Sequence, residues 1–234
     1  MLEIEDISAG YGATTILRKV SLEVGKGKVV ALVGSNGAGK TTLLRALSGI
    51  IRPSEGVIRF RGQDIQHARP QDIVRLGIAH CPEERKVWPQ MTVEENLELG
   101  AFVLSSKSEI KETLHQIYDE FPVLRERRKE CAGKLSGGQQ QMVAVGRALM
   151  SKPKMVLFDE PSLGLSPMLM KQIATIIQKI QKQGIAVLLV EQNVRMALRL
   201  ADFAYVLGSG RIVASSPAAT LRNDPALLKA YLGN

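Results

Sequence analysis

Residues 29–41 read Val-Val-Ala-Leu-Val-Gly-Ser-Asn-Gly-Ala-Gly-Lys-Thr, an unbroken apolar run that passes directly into a glycine-rich turn. A strand with no polar alternation is buried on both faces, which belongs to a parallel sheet covered by helices. Beyond the turn, Thr41 to Ile50 places Leu43, Leu44, Leu47 and Ile50 at helical spacing. Strand, glycine loop and helix therefore follow one another. The turn, Gly34-Ser35-Asn36-Gly37-Ala38-Gly39-Lys40-Thr41, fits G-x-x-x-x-G-K-[ST] at every fixed position and in the context that motif requires. Glycines at 34, 37 and 39 open backbone conformations closed to other residues and let amides approach an anion. A helix beginning near Lys40 adds its positive end. The segment from Gly34 through Thr42 thus predicts a phosphate cradle, with Lys40 reaching the β and γ phosphates and the Thr41 hydroxyl ligating Mg²⁺. The plainer alternative is a glycine turn with an exposed lysine.

A nucleotide site of this kind also needs an acid at the end of a buried strand to hold the metal. Met155-Val156-Leu157-Phe158-Asp159-Glu160 has that form. Asp159 is placed to orient Mg²⁺ through its water shell. Glu160, one residue further, is placed to meet a water in line with the γ phosphate, which makes it the general-base candidate. The competing reading is two solvated acids opening a turn before Pro161.

Around these motifs the texture changes three times. Leu2–Ile7, Ile16–Val24 and Ile58–Phe60 are β-rich runs separated by glycines, as in antiparallel hairpins. Residues 91–150 read as a mainly helical insertion: Thr92-x-x-Glu95 forms a capping box, and Leu114, Ile117, Tyr118 and Phe121 make an apolar stripe before Pro122. The sheet then resumes at Met155–Phe158, followed by a helix striped by Leu169, Ile173, Ile176, Ile177 and Ile180, and by a buried strand at Ile185–Val190. Strands alternating with helices predict parallel βαβ connections. The expected fold class is α/β, with residues 1–90 and 151–234 as core and 91–150 as a helical subdomain.

Length and charge narrow the partners. At 234 residues the chain suits one large or two small domains, and 45% apolar residues suffice for a packed core. Its longest apolar runs are far short of the roughly 20 residues a spanning helix needs. The start, MLEIEDISAG, lacks the plan of a secretory leader, and two cysteines make no disulfide scaffold. A cytosolic chain is expected. The formal charge of +8 favours polyanionic ligands or a membrane face, but aromatic residues are only 4% and the densest basic stretch, Arg125–Lys129, is broken by Glu126, so nucleic acid is not the expected partner. His67, His80 and His115 show no metal-ligand spacing.

Leu135-Ser136-Gly137-Gly138-Gln139 precedes a helix striped by Met142, Val143, Val145 and Leu149, so Ser136 and two glycines sit at a second helix start. Here the sequence resembles the ATP-binding subunits of ABC transporters, whose signature is L-S-G-G-Q, and the resemblance covers nearly the whole chain. It implies a P-loop NTPase core of the RecA-like kind, and ATP and Mg²⁺ as ligands. It also implies a head-to-tail dimer in which Ser136, Gly137, Gly138 and Gln139 of one subunit close over the γ phosphate held by the other. Tyr11, in Gly10-Tyr11-Gly12, matches the aromatic that stacks on adenine, and Ser162–Ser166 matches a loop that contacts the opposing subunit. Two positions depart from the common pattern. Glu83 stands where most members carry a glutamine near the metal, and Gln192 stands where a switch histidine is usual; its amide can hydrogen-bond a phosphate but cannot carry a proton.

Pro82-Glu83 ahead of Arg85, Met91–Leu97, Gly146–Met150, Glu160–Leu165 and Val190–Asn193 are similar to one branch of that family, the ATPase subunits of bacterial importers for branched-chain amino acids, with urea and amide importers as near relatives. Glu84 departs from the glycine common in that branch. The resemblance implies membrane permeases, indirectly a solute-binding protein, and a second ATP-binding subunit, identical or related, at the cytoplasmic face of the inner membrane. A soluble ABC-type ATPase acting on nucleic acid is the competing class, but the long coiled coil or doubled ATPase domain usual there is missing. A small-molecule kinase leaves Ser136–Gln139 unexplained.

Overall fold

The computed structural model describes residues 1–83 and 86–223; the expectations placed on Glu84 and Arg85 lie outside them. Two sheets carry the fold. The first is antiparallel, in the order β2-β1-β4-β5, formed by β1 (Leu2–Tyr11), β2 (Thr14–Val24), β4 (Glu55–Phe60) and β5 (Gln63–Asp64). Six strands make the second, in the order β10-β9-β3-β8-β7-β6: β3 (Val29–Val33), β6 (Ile78–Cys81), β7 (Met155–Asp159), β8 (Ala186–Glu191), β9 (Phe203–Gly208) and β10 (Arg211–Pro217). Its pairs are parallel except at the β9–β10 edge. Helix α1 (Lys40–Leu47) follows β3, and α2 (Pro70–Leu76) precedes β6. Between β6 and β7 lie α3 (Val93–Glu98), α4 (Lys107–Glu120), α5 (Pro122–Glu126) and α6 (Gly137–Leu149). Helices α7 (Pro167–Lys182), α8 (Val194–Leu200) and α9 (Ala218–Asn223) follow among the described residues.

The central strand shows why an unbroken apolar run was required. Val29, Ala31 and Val33 face one core, shared with Val143 and Val145 of α6 and Ile173 and Ile177 of α7. Val30 and Leu32 face a second core, with Leu43 and Leu47 of α1 and Leu17 and Phe60 of the antiparallel sheet. Both faces are dry, so truncating Leu32 to Ala would cost about 2–5 kcal/mol.

Helix boundaries follow local chemistry. Thr92 caps α3 with the predicted capping box: its hydroxyl accepts the Glu95 N–H at 3.1 Å and the Glu95 carboxylate accepts the Thr92 N–H at 2.7 Å. Pro122 ends α4 and starts α5. The first helix is shorter than its apolar spacing suggests. Gly49 takes φ +69°, the Ile50 N–H bends back to the Arg45 carbonyl, and Ile50 is left 59% exposed rather than continuing the stripe. Both cysteines are free thiols, and among the described residues no helix is long and apolar enough to cross a membrane.

Register sets the site. Val33 lies beside Glu191, and Asp159 beside Val190, so β3, β7 and β8 finish at the same level. The segments that leave those three ends carry Gly34, Glu160 and Gln192. Ligands of open α/β sheets bind outside such carboxyl ends.

Candidate functional site

The loop from Gly34 to Gly39 is held open by its glycines and by the opposite end of the chain. Gly37 and Gly39 take φ +78° and +109°, in the left-handed region. A Cβ on Gly34 would stand 2.3 Å from the Leu207 carbonyl oxygen, so the loop lies flat on the end of β9. In the turn between β9 and β10, Gly210 donates its N–H to the Ala38 carbonyl at 2.9 Å and accepts the Arg18 N–H at 2.8 Å. That turn braces the loop from below. Helix α1 then begins with Gly39 as its N-cap, which offers no side-chain acceptor, and no acid occupies its first turn. Its leading amides therefore have no capping side chain, the condition for receiving an anion.

Lys40, only 5% exposed, folds back over this loop. Its ammonium donates to the Gly34 carbonyl at 2.9 Å and the Ser35 carbonyl at 3.1 Å, and lies 3.3 Å from the Glu160 carboxylate. Glu160 takes φ +46°, unusual for a residue with a side chain, and its N–H donates to the Val190 carbonyl at 2.9 Å. Asp159 is 2% exposed, and its Oδ1 has no hydrogen-bond partner. Burial pushes its carboxyl up to about 6; the neighbouring Thr41 hydroxyl acts the other way, while the Glu83 and Glu160 carboxylates add to the rise. A dry carboxylate oxygen without a donor is costly unless a cation meets it. Among the described residues no three acidic, histidine or cysteine side chains converge as a metal cage. One hydroxyl and one or two carboxylates, completed by water and phosphate oxygens, is how Mg²⁺ is usually held. Thr41, Asp159 and Glu83 fit that donor set.

A cavity of about 480 Å³ gathers Asn36, Gly37 and Gly39 to Thr42 of the loop and helix with Tyr11, Glu83, Glu160 and Gln192. Gly34, Ser35 and Ala38 form the loop's root. Tyr11 is 42% exposed; its hydroxyl accepts from Arg45 Nη1 at 2.9 Å, and the same guanidinium lies 5.8 Å from the ring centroid. The cavity does not include Ser136, Gly137, Gly138 or Gln139. Those residues open α6, where the Gln139 N–H reaches the Ser136 hydroxyl at 3.4 Å and the Gln139 side-chain carbonyl accepts the Ser136 N–H at 3.0 Å. Ser136 is exposed, while Gly138 is buried under Leu169 of α7, whose Cδ1 lies 2.1 Å from where a Cβ would be. The His80 Nδ1 pairs with the Ser48 hydroxyl at 2.9 Å, and burial lowers its pKa to about 4.

The family model described as ABC transporter matches residues 17–163, more than half of the chain. The chain belongs to the ABC transporter family. It is 47% identical over 233 residues to the high-affinity branched-chain amino acid transport ATP-binding protein BraG of Pseudomonas aeruginosa, covering 100% of both. To the probable branched-chain amino acid transport ATP-binding protein LivF of Archaeoglobus fulgidus it is 37% identical over 234 residues, covering 100% of this chain and 99% of that one. A solved nucleotide-free ATP-binding cassette from an ABC transporter superposes with a TM-score of 0.88 at 30% identity, covering 100% and 99%. Within the ABC transporter family this chain is the ATP-hydrolysing kind of subunit.

Sequence reading passed over several members of this ABC transporter site. Ile16 and Leu163 line the cavity, and Leu207 floors the loop. Glu191, 1% exposed at the end of β8, accepts the Ser162 backbone N–H at 3.1 Å; burial raises its pKa, opposed by hydrogen bonds from Ser162 and from the Asn193 backbone. The available signal was a lone acid closing an otherwise apolar strand.

Proposed function

We propose that this chain binds ATP at Gly34–Thr42, with Tyr11 against the base, and hydrolyses it only when Ser136–Gln139 of a second ATP-binding subunit covers the γ phosphate. One observation carries the reading. The helix start that grips an anion and the helix start bearing the signature belong to one chain, yet the second lies outside the cavity of the first. Residues 1–90 and 151–234 act as the gripping core and 91–150 as the helical subdomain that reaches across.

Lys40 and Glu160 neutralise each other before nucleotide arrives. ATP offers the ammonium a better partner, so Lys40 turns to the β and γ phosphates and Glu160 is freed to orient a water and take its proton. Mg²⁺, when held by Thr41, Asp159 and Glu83, offsets charge on the phosphates. The Gln192 amide donates to a γ-phosphate oxygen but carries no proton, which leaves Glu160 as the base. Glu160→Gln should retain ATP binding, lose about 100-fold or more in hydrolysis and accumulate as a closed dimer. Nucleotide-binding titration, phosphate release and light scattering read the three effects. Full turnover in that variant removes Glu160 from the role.

The substrate class rests on BraG and LivF, which are named as branched-chain amino acid transport ATP-binding proteins. Their similarity supports uptake of those amino acids through permeases fed by a solute receptor, with this chain docked on the cytoplasmic face as one of two identical or related ATPases. Reconstitution with branched-chain amino acid permeases and their solute receptor tests this. Leucine-loaded receptor should stimulate ATP hydrolysis; stimulation by urea or an amide instead would redirect the assignment.

A further inference from the structure

We propose that Glu191 is a positioning residue for hydrolysis, whose buried carboxylate clamps the loop after β7 to the end of β8 and so fixes how Glu160 and Gln192 face the cavity. The inference rests on the role given to Glu160 above. Strand β8 runs Ala186 to Val190 without a polar side chain, and Glu191 closes it at the same dry level. An acid there carries a desolvation cost that packing alone does not call for, since a small apolar residue would fill the strand end. The structure shows what the acid does instead. Its Oε1 accepts the Ser162 backbone N–H at 3.1 Å.

Two residues earlier in the loop and one residue earlier in β8, the Glu160 N–H donates to the Val190 carbonyl at 2.9 Å. The loop is thus tied to β8 on both sides of Pro161, through Glu160 and through Ser162. Glu160 holds φ +46°, a backbone state that persists in a residue with a side chain only when its surroundings over-determine it. The two ties supply that constraint. Glu191 is also bonded through the chain to Gln192. One carboxylate therefore sets the base on one segment and the phosphate-facing amide on the other. Glu191 itself does not line the cavity of the phosphate loop, so it acts through its neighbours.

Steady-state ATPase kinetics and binding of a fluorescent ATP analogue to Glu191→Ala, Glu191→Gln and Glu160→Gln test the clamp. Misplacing a catalytic group by about 1 Å costs on the order of 100-fold, so Glu191→Ala should lose about that much in kcat, with KM and analogue affinity within about threefold of the parent. Glu191→Gln keeps an acceptor oxygen for the Ser162 N–H and should recover most of the rate. Should Glu191→Ala fail to fold, Glu191→Met fills the volume without an acceptor and is read the same way. Normal kcat in the folded variant overturns the clamp, as does a loss shared equally by kcat and analogue binding, or failure of both variants to fold, any of which makes Glu191 a prop of the fold alone. Glu160→Gln separates the two failures. Full turnover there removes the base and the inference with it, whereas lost turnover there beside normal turnover in Glu191→Ala or Glu191→Met removes only the clamp.

Discussion

Helices α1 and α6 both start after a glycine-bearing loop, and they are finished in opposite ways. At α1 the N-cap is Gly39, with no side chain to accept from the first turn, and Lys40 is buried against the Glu160 carboxylate. At α6 the N-cap is Ser136, exposed to solvent, and a reciprocal pair of hydrogen bonds with Gln139 closes the helix end within the chain. The first helix start depends on a ligand to complete it. The second is complete alone and offers its outer face to whatever docks there, which suits a contact made between two chains and undone again.

The sharpest way to break this contrast is Lys40→Ala. It strips the bare helix start of its only buried cation and leaves Glu160 inside without a counter-charge, so ATP affinity should fall by about 100-fold or more in a binding titration. Unchanged affinity would mean that the α1 amides hold the phosphates without Lys40. Ser136→Ala tests the other start. It should leave ATP binding by the single chain intact while turnover drops about tenfold, and loss of the cap should lower the thermal midpoint by roughly 2–4 °C, about 1 kcal/mol. A binding defect equal to that of Lys40→Ala would show that the two starts serve one intramolecular site. The smallest effect is expected of Gly138→Ala, whose new Cβ meets the mobile end of Leu169. A loss of about 1 kcal/mol by denaturant titration, largely relieved in a Leu169→Ala background, would confirm that this glycine is there for α7 rather than for phosphate.

The same contrast shows how much was legible in the sequence. β3, its loop and α1 were readable because the motif and the change of hydrophobic period fall on the same residues. The Thr92 cap and the Leu114–Phe121 stripe were equally local signals, and the structure carries both. Ile50 was misplaced because its spacing was weighed and the terminating Gly49 was not. Direct contacts between distant segments left less trace in the sequence. Nothing near Glu191 points to Ser162, 29 residues earlier; the motifs bring Lys40 and Glu160 to the same phosphate, but their ion pair with each other follows only from the shared level of the β3, β7 and β8 ends. The β9–β10 hairpin escaped notice because β10 is an edge strand of exposed and half-buried, mostly small or polar residues that make no strong hydrophobic pattern.

That hairpin supports the phosphate grip from the far end of the chain. Leu207 lies under Gly34, and Gly210 holds both Ala38 and Arg18, although the residues they support were made roughly 170 to 190 positions earlier. A growing polypeptide therefore displays its nucleotide motif on the ribosome long before the piece that shapes it has emerged. A product truncated after β8 would carry the nucleotide motifs without the support that shapes them, and should hold ATP less tightly in a binding titration.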